Sequence, residues 1–224
     1  MDIGLAGPLL AGVLGLLIGS FLNVVIYRLP KIMERQWAEE IRAAQAQSAQ
    51  GDAGAAPPEQ ERFNLMVPRS RCPSCGHMVQ WYENIPVLSY LFLRGRCSAC
   101  KVRISVRYPL IEMATGVLFF LCIQRWGMTP TGLVWCGFSA ALVALAFIDW
   151  DTTLLPDSLT LPLLWGGLAA AALGWTLPLS TAVWGAVAGY LSLWSVYWLF
   201  KLTTGKEGMG YGDFKLLAAI GAWL

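Results

Sequence analysis

The sequence predicts an all-α polytopic membrane protein, a transmembrane helix bundle with a small cytoplasmic zinc-binding domain between helices one and two. Three observations predict it. Of 224 residues, 56% are hydrophobic and only 13% charged, whereas a soluble domain carries roughly 25% charged residues. Long uncharged runs recur along the chain, several of them exceeding the roughly 20 residues that a bilayer-spanning helix needs. Twelve of the sixteen Lys and Arg fall between Arg28 and Arg107, with four of the six cysteines. Positive charge collects on the cytoplasmic side, so that block faces the cytoplasm. Eleven Trp suit bilayer interfaces, and a net charge of +2 gives no sign of a nucleic-acid partner.

The elements follow in order. Ile3 to Tyr27 is uncharged throughout and lacks the charged leading region of a signal peptide. It reads as a first spanning helix with its N-terminus outside, so residues 1–29 form one unit. Residues 30–108 form the cytoplasmic domain. Within it, Gln36 to Glu61 is rich in Ala, Gln, Gly and Pro and reads as a helix followed by a flexible linker. Residues 109–224 return to the membrane. Pro109 to Gln124, broken only by Glu112, is a second span, and Gly127 to Ile148 a third. Ser158 to Phe200 is uncharged throughout, long enough for two helices, and is divided by Gly174-Trp-Thr-Leu-Pro178 into spans four and five. Phe214 opens a sixth, which stops at Leu224 and is too short to cross. Counting from outside, the loops Asp149–Asp157 and Lys201–Asp213 both fall on the cytoplasmic face.

Two motifs carry chemistry. Cys72-Pro-Ser-Cys75 and Cys97-Ser-Ala-Cys100 enclose the stretch 76–96 between them, a spacing that fits tetrahedral Zn2+ held by four thiolates. A redox pair or four free thiols is the alternative. The cytoplasmic setting argues against disulfides. A closed four-Cys site is structural, and His77 takes a supporting or exposed place beside it. The second motif is a pair of carboxylates. Asp213 follows Gly210-Tyr-Gly212 at the start of an apolar segment, where it could serve as a helix cap or admit a substrate strand past the small glycines. Asp149, Asp151 and Asp157 compete as its partner. Asp149 directly follows an uncharged run, Asp151 could be solvated, and capping explains Asp157. Ionisable groups at a bilayer edge are costly and point to function, which favours Asp149. Two carboxylates held close resist double ionisation, so one takes a proton from water while the other, protonated, polarises a carbonyl.

The chain resembles the type IV prepilin peptidases, membrane aspartic peptidases of the Gly-x-Gly-Asp class. The resemblance rests on Gly19-Ser-Phe-Leu-Asn-Val-Val-Ile-Tyr-Arg-Leu-Pro30, the two Cys-x-x-Cys knuckles, Glu83-Asn-Ile-Pro86, Phe147-Ile-Asp149 with Leu155-Pro-Asp157, and Gly210-Tyr-Gly-Asp213. It implies Asp149 and Asp213 as catalytic residues and Cys72, Cys75, Cys97 and Cys100 as zinc ligands. It implies leader cleavage of type IV prepilins and of the pseudopilins of type II secretion, in the bacterial inner membrane and at its cytoplasmic face. The lipid bilayer is the other partner. A four-Cys domain is the form found in bifunctional members, which then N-methylate the new N-terminus with S-adenosylmethionine. No Gly-x-Gly-x-x-Gly loop marks the methyl-donor site, which has no assigned residues; Glu83 and Asn84 are candidates to assist it. The family has further helices beyond this motif, so the chain is expected to be truncated in its sixth.

Smaller features complete the reading. Glu112 is expected either in a salt bridge with Arg107 or Arg103 or in a substrate role, and Asn23 in a hydrogen bond between helices. A non-catalytic zinc-ribbon assembly factor would explain the cysteines and spans but not two acids at one face. A proton-coupled transporter would explain the acids but not the zinc module.

Overall fold

The computed structural model describes residues 3–48 and 63–224 and is all-α. Helix α1 spans Ile3–Ser48 and α2 spans Leu88–Phe92; α3 is Arg107–Trp126, α4 Pro130–Thr152, α5 Asp157–Ala172, α6 Leu179–Thr204 and α7 Tyr211–Gly221. The second half of the expected linker, residues 49–62, lies outside the described residues. Helix α1 does not stop near Pro30 but runs through it for 46 residues. The segment beyond, Trp37-Ala-Glu-Glu-Ile-Arg-Ala-Ala, consists mostly of strong helix formers, which continue the helix once the proline is passed.

Helix ends follow local chemistry. Thr129 caps α4, its Oγ1 accepting from the Gly132 N–H at 3.2 Å with Pro130 in the first turn. The uncharged run ends at Ile148, yet α4 continues to Thr152 and closes at Thr153 in a left-handed conformation. Asp149 and Asp151 therefore lie in the last turn of a helix rather than in a loop. Helix α6 ends at the left-handed Gly205. The turn between α5 and α6 falls where Gly174 and Pro178 mark it.

The helices pack through small residues. A Cβ on Gly15 would lie 2.7 Å from the Thr115 carbonyl oxygen and one on Gly19 2.7 Å from the Glu112 Cα, so α1 and α3 cross at backbone distance. Asn23 donates from Nδ2 to the Tyr108 carbonyl at 3.2 Å across the same crossing, as its position suggested. Leu22, Ile26, Ile111, Ala144 and Ile148 join α1, α3 and α4. Phe138, Leu145, Leu163, Ala219, Ala222 and Trp223 join α4, α5 and α7. Trp135 stacks on Trp126 at 5.1 Å and meets Phe138 edge-on.

Outward faces are apolar. Leu9, Leu10, Trp184, Leu199 and Leu202 are more than half exposed, as lipid contact requires. Three described helices, α1, α4 and α6, are long and apolar enough to cross a membrane. Helix α3 carries Arg107, Glu112 and Arg125, and α5 has only 16 residues.

Candidate functional site

Two sites emerge, one in the segment between α1 and α3 and one at the end of the bundle. The first is built from twin loops. In each, a short antiparallel bridge, Arg71 with Met78 or Arg96 with Arg103, presents two cysteines separated by two residues. The sulfurs of Cys72, Cys75, Cys97 and Cys100 all lie within 4.8 Å of one another, and those of Cys72 and Cys100 are 3.8 Å apart. A tetrahedral ion with bonds of about 2.3 Å requires edges of about 3.8 Å, so the cysteines fit Zn2+. Backbone N–H groups of Cys75 and Ser74 draw the Cys72 thiol down to about 7, and those of Cys100 and Ala99 lower Cys97. The Val102 N–H favours the Cys100 thiolate, but burial and the neighbouring sulfurs outweigh it and push this thiol up to about 11. Four sulfurs this close need a cation among them before all can be thiolates.

His77 lies beside the cluster, not in it. Its Nε2 is 3.2 Å from Glu83 Oε2. The Gln80 N–H donates to the same oxygen at 2.9 Å. That N–H first, then the Ser98 hydroxyl and His77, holds Glu83 below the usual carboxylate range. Ser98 belongs to the second loop and His77 to the first, so Glu83 ties the two together. Sequence reasoning offered Glu83 to a methyl-transfer site; the structure engages its carboxylate inside the module.

The module is latched to the bundle by groups the sequence did not resolve. Arg28, 7% exposed, donates to the carbonyls of Asn64 at 3.0 Å and Pro68 at 2.6 Å. Among the described residues, Glu112 has no ion-pair partner. Its Oε2 accepts the Val87 N–H at 2.8 Å. Val87 has φ 61 and ψ −48, and the Leu88 N–H donates to the Pro86 carbonyl at 2.6 Å. That is a γ-turn of the rare positive-φ kind with a β-branched residue at its centre, a strained arrangement that surroundings must hold.

The second site lies where α4 ends and α7 begins. At one end of this pair the rings of Phe138 and Trp223 are 4.9 Å apart. At the other, a Cβ on Gly212 would lie 2.8 Å from the Leu155 Cβ. The two helices are therefore antiparallel. Asp149 is eleven residues beyond Phe138 and Asp213 ten before Trp223, about 16 and about 15 Å along their helices at roughly 1.5 Å per residue. Both therefore lie near the same end of the bundle.

The other acids at this end are occupied. Arg107 donates to Asp151 Oδ1 at 2.6 Å, so Asp151 is paired rather than simply solvated. Lys215 donates to both oxygens of Asp157, at 2.8 and 2.6 Å. Asp157 makes no capping hydrogen bond and opens α5 itself, where a negative charge suits the helix dipole. Asp213 does not cap α7; it is the third helical residue, behind Gly210 at the cap position. Among the described residues, the Asp149 and Asp213 side chains have no hydrogen-bonding or ionic partner. Asp149 is exposed and Asp213 half-buried.

The approach to Asp213 is strapped to α6. Lys201 donates to Glu207 at 2.9 Å and to the buried Tyr197 hydroxyl at 3.2 Å. The Tyr197 and Tyr211 rings are 5.6 Å apart. Lys201 holds Glu207 below the usual carboxylate range. The i, i+4 spacing of Tyr197 and Lys201 was the available signal.

Comparison with known proteins covers most of the chain. The Bacterial Peptidase A24 N-terminal domain matches residues 13–126. The Type IV leader peptidase family matches residues 136–224. A protein of Pseudomonas putida is 57% identical over 214 residues, covering 96% of this chain and 72% of its own. One of Stutzerimonas stutzeri is 55% identical over 219 residues, covering 98% and 73%. One of Aeromonas salmonicida is 56% identical over 214 residues, covering 93% and 70%. All three bear the name prepilin leader peptidase/N-methyltransferase. No solved structure matches the chain.

Proposed function

The chain belongs to the type IV leader peptidase family, and from that premise we propose that Asp149 and Asp213 are the acid–base pair of an intramembrane aspartic endopeptidase. The enzyme cleaves the leader of prepilins, extending to type II secretion pseudopilins, and then N-methylates the new N-terminus. Of the four aspartates at this end of the bundle, Asp151 and Asp157 are neutralised by Arg107 and Lys215. Among the described residues, only Asp149 and Asp213 of these four keep unengaged carboxylates, and both lie near the same end of the bundle. That observation carries the reading.

The ionised carboxylate takes a proton from water as its oxygen attacks the scissile carbonyl. The protonated one donates to that carbonyl oxygen. The C–N bond then breaks and the leaving nitrogen takes up a proton. Gly210 and Gly212 leave room for an extended substrate beside Asp213. S-adenosylmethionine, when bound, would supply the methyl group for the new amine. Cys72, Cys75, Cys97 and Cys100 would hold Zn2+, and an ion with four thiolate ligands would serve to organise the module.

In this reading the bacterial inner membrane is crossed first by residues 1–29 and then by the peptidase segment 109–224. The N-terminus lies outside, and the module, residues 30–108, and both aspartates lie at the cytoplasmic face. The test is cleavage of a synthetic prepilin in detergent. Asp149→Asn and Asp213→Asn should each abolish it with folded protein retained, because groups acting as a unit fail together. Asp151→Asn and Asp157→Asn should retain most activity. Normal cleavage by both variants of the proposed pair would end the aspartic mechanism.

A further inference from the structure

The twin loops of the metal module differ at one informative position. In the first loop the Cys72 N–H donates to the His77 carbonyl at 2.8 Å and the Gly76 N–H to the Cys72 carbonyl at 2.9 Å. In the second the Cys97 N–H donates to Val102 at 2.9 Å and the Lys101 N–H to Cys97 at 3.1 Å. The hydrogen bonds coincide when Cys72 is laid on Cys97, so Lys101 is the counterpart of Gly76. Both positions are left-handed, with φ 73 at Gly76 and 61 at Lys101. Glycine adopts that conformation freely and lysine does so at a cost. Arg94, before the left-handed Gly95, is likewise held at φ 52. Two cations thus sit where glycine would suit the backbone better, which points to a use for their side chains.

Those side chains share one surface. Arg94, Arg96 and Lys101 line a shallow hollow of about 380 Å³ with Phe92 and Leu93. All three cations are exposed, and among the described residues none has an acidic partner. From Phe63 to Arg107 the only acid is Glu83, which is engaged inside the module. Next to the cations, Leu88, Leu91 and Phe92 are 52%, 64% and 84% exposed, although they form a helix. The Glu112 latch fixes the level of this helix. Val87 is tied to the sixth residue of α3, about 7 Å along that helix from its start. The outer side of α3 there shows Tyr108, Leu110 and Met113, each nearly half exposed.

We propose that this face, the apolar edge of α2 together with Arg94, Arg96 and Lys101, docks onto anionic phospholipid headgroups and holds the metal module flat against the membrane beside the peptidase site. The inference rests on the reading that α3 spans the bilayer. Apolar residues enter the headgroup boundary while unpaired cations meet lipid phosphates. The surface repels a basic leader peptide, so charge favours lipid over substrate as the occupant.

The test uses the full chain in nanodiscs of phosphatidylcholine alone or with phosphatidylglycerol, read by hydrogen exchange over residues 88–103. Each cation near an anionic surface is worth about fivefold in binding, so exchange should slow by about tenfold or more in the anionic discs only. The protection should shrink as salt shortens the screening length. Arg94→Gly with Lys101→Gly should abolish it while bound metal stays unchanged, because glycine suits both backbones. The salt response of the unaltered protein decides the matter if that variant fails to fold. Equal protection in both lipids, or protection that survives the double substitution, overturns the proposal. So does equal protection by inorganic phosphate in detergent, which would mark a free-phosphate site. Rapid exchange throughout α4 and α6 in both discs would instead mean that the membrane reading itself has failed.

Discussion

At Val87 a β-branched residue holds a backbone conformation that few residues tolerate, and one carboxylate from another helix holds it there. Glu112 supplies the acceptor, buried at 8% exposure and packed against Gly19. Leaving a buried donor unpaired costs about 1–3 kcal/mol. Glu112→Ala should therefore loosen the module by about that much, seen as faster proteolysis between residues 63 and 107 in detergent. Glu112→Gln should remain close to the parent, because its amide oxygen can still accept the Val87 N–H. Val87→Gly should be neutral or stabilising by up to about 1 kcal/mol, since glycine removes the strain. A large loss of stability with Val87→Gly would show that the valine side chain, rather than the latch, does the holding. Glu112 was legible only as a costly acid in an apolar run; its partner, Val87, is remote in the chain and carries no sequence signal.

At the scale of elements, the four-cysteine module has little core of its own, a lack that a bound metal would offset. Trp81, Tyr82 and Phe92 are exposed, and among the described hydrophobic residues from 63 to 107 only Cys97 is buried. Four thiolates should hold about one Zn2+ per chain, measurable by metal analysis. Cys72→Ser with Cys75→Ser should release it and collapse the protection of residues 70–103. Full metal retention would refute the assignment. The α6–α7 junction behaves differently, because it is strapped by side chains alone. Lys201→Met breaks the bonds to Glu207 and Tyr197, frees the stretch before Asp213, and should lower kcat for cleavage about tenfold or more, the scale of a misplaced catalytic group. Metal content should not change. Glu207 has its folded value depressed by Lys201, so its stabilising effect is complete at neutral pH and fades as the pH falls through the carboxylate range. Exchange over residues 206–212, taken relative to the intrinsic amide rate at each pH, should therefore rise in acid and stay flat across the neutral range. A rise within that neutral window would assign the strap to another group.

For the whole molecule, the two sites occupy separate bodies of structure joined through α1 and α3. That separation leads to a prediction about the two activities. Asp213→Asn should stop cleavage and thereby starve methylation of its substrate. Given a precleaved pilin and S-adenosylmethionine, the same variant should still transfer the methyl group, as mass spectrometry of the pilin N-terminus would show. Failure there, with the unaltered protein active, would place both reactions on the same aspartates.

Much of this could be read from the sequence, for identifiable reasons. Long uncharged runs dictate helices in a membrane because every backbone group must be satisfied within its own segment. Two Cys-x-x-Cys pairs fix the metal cluster because knuckle geometry is local. The Gly174–Pro178 break and the α4 cap are local as well. Periodicity and charge could not reveal that α1 continues through Pro30, since helix-forming residues beyond it compete with the proline. Nor could they sort the four aspartates at the end of the bundle. Sequence position marks Asp151 as solvated and Asp157 as a helix cap, whereas Arg107, 44 residues away, and Lys215, 58 residues away, settle their fate. Which carboxylates remain unengaged is a property of helices meeting across the bundle, and only the tertiary structure brings those partners into hydrogen-bonding contact.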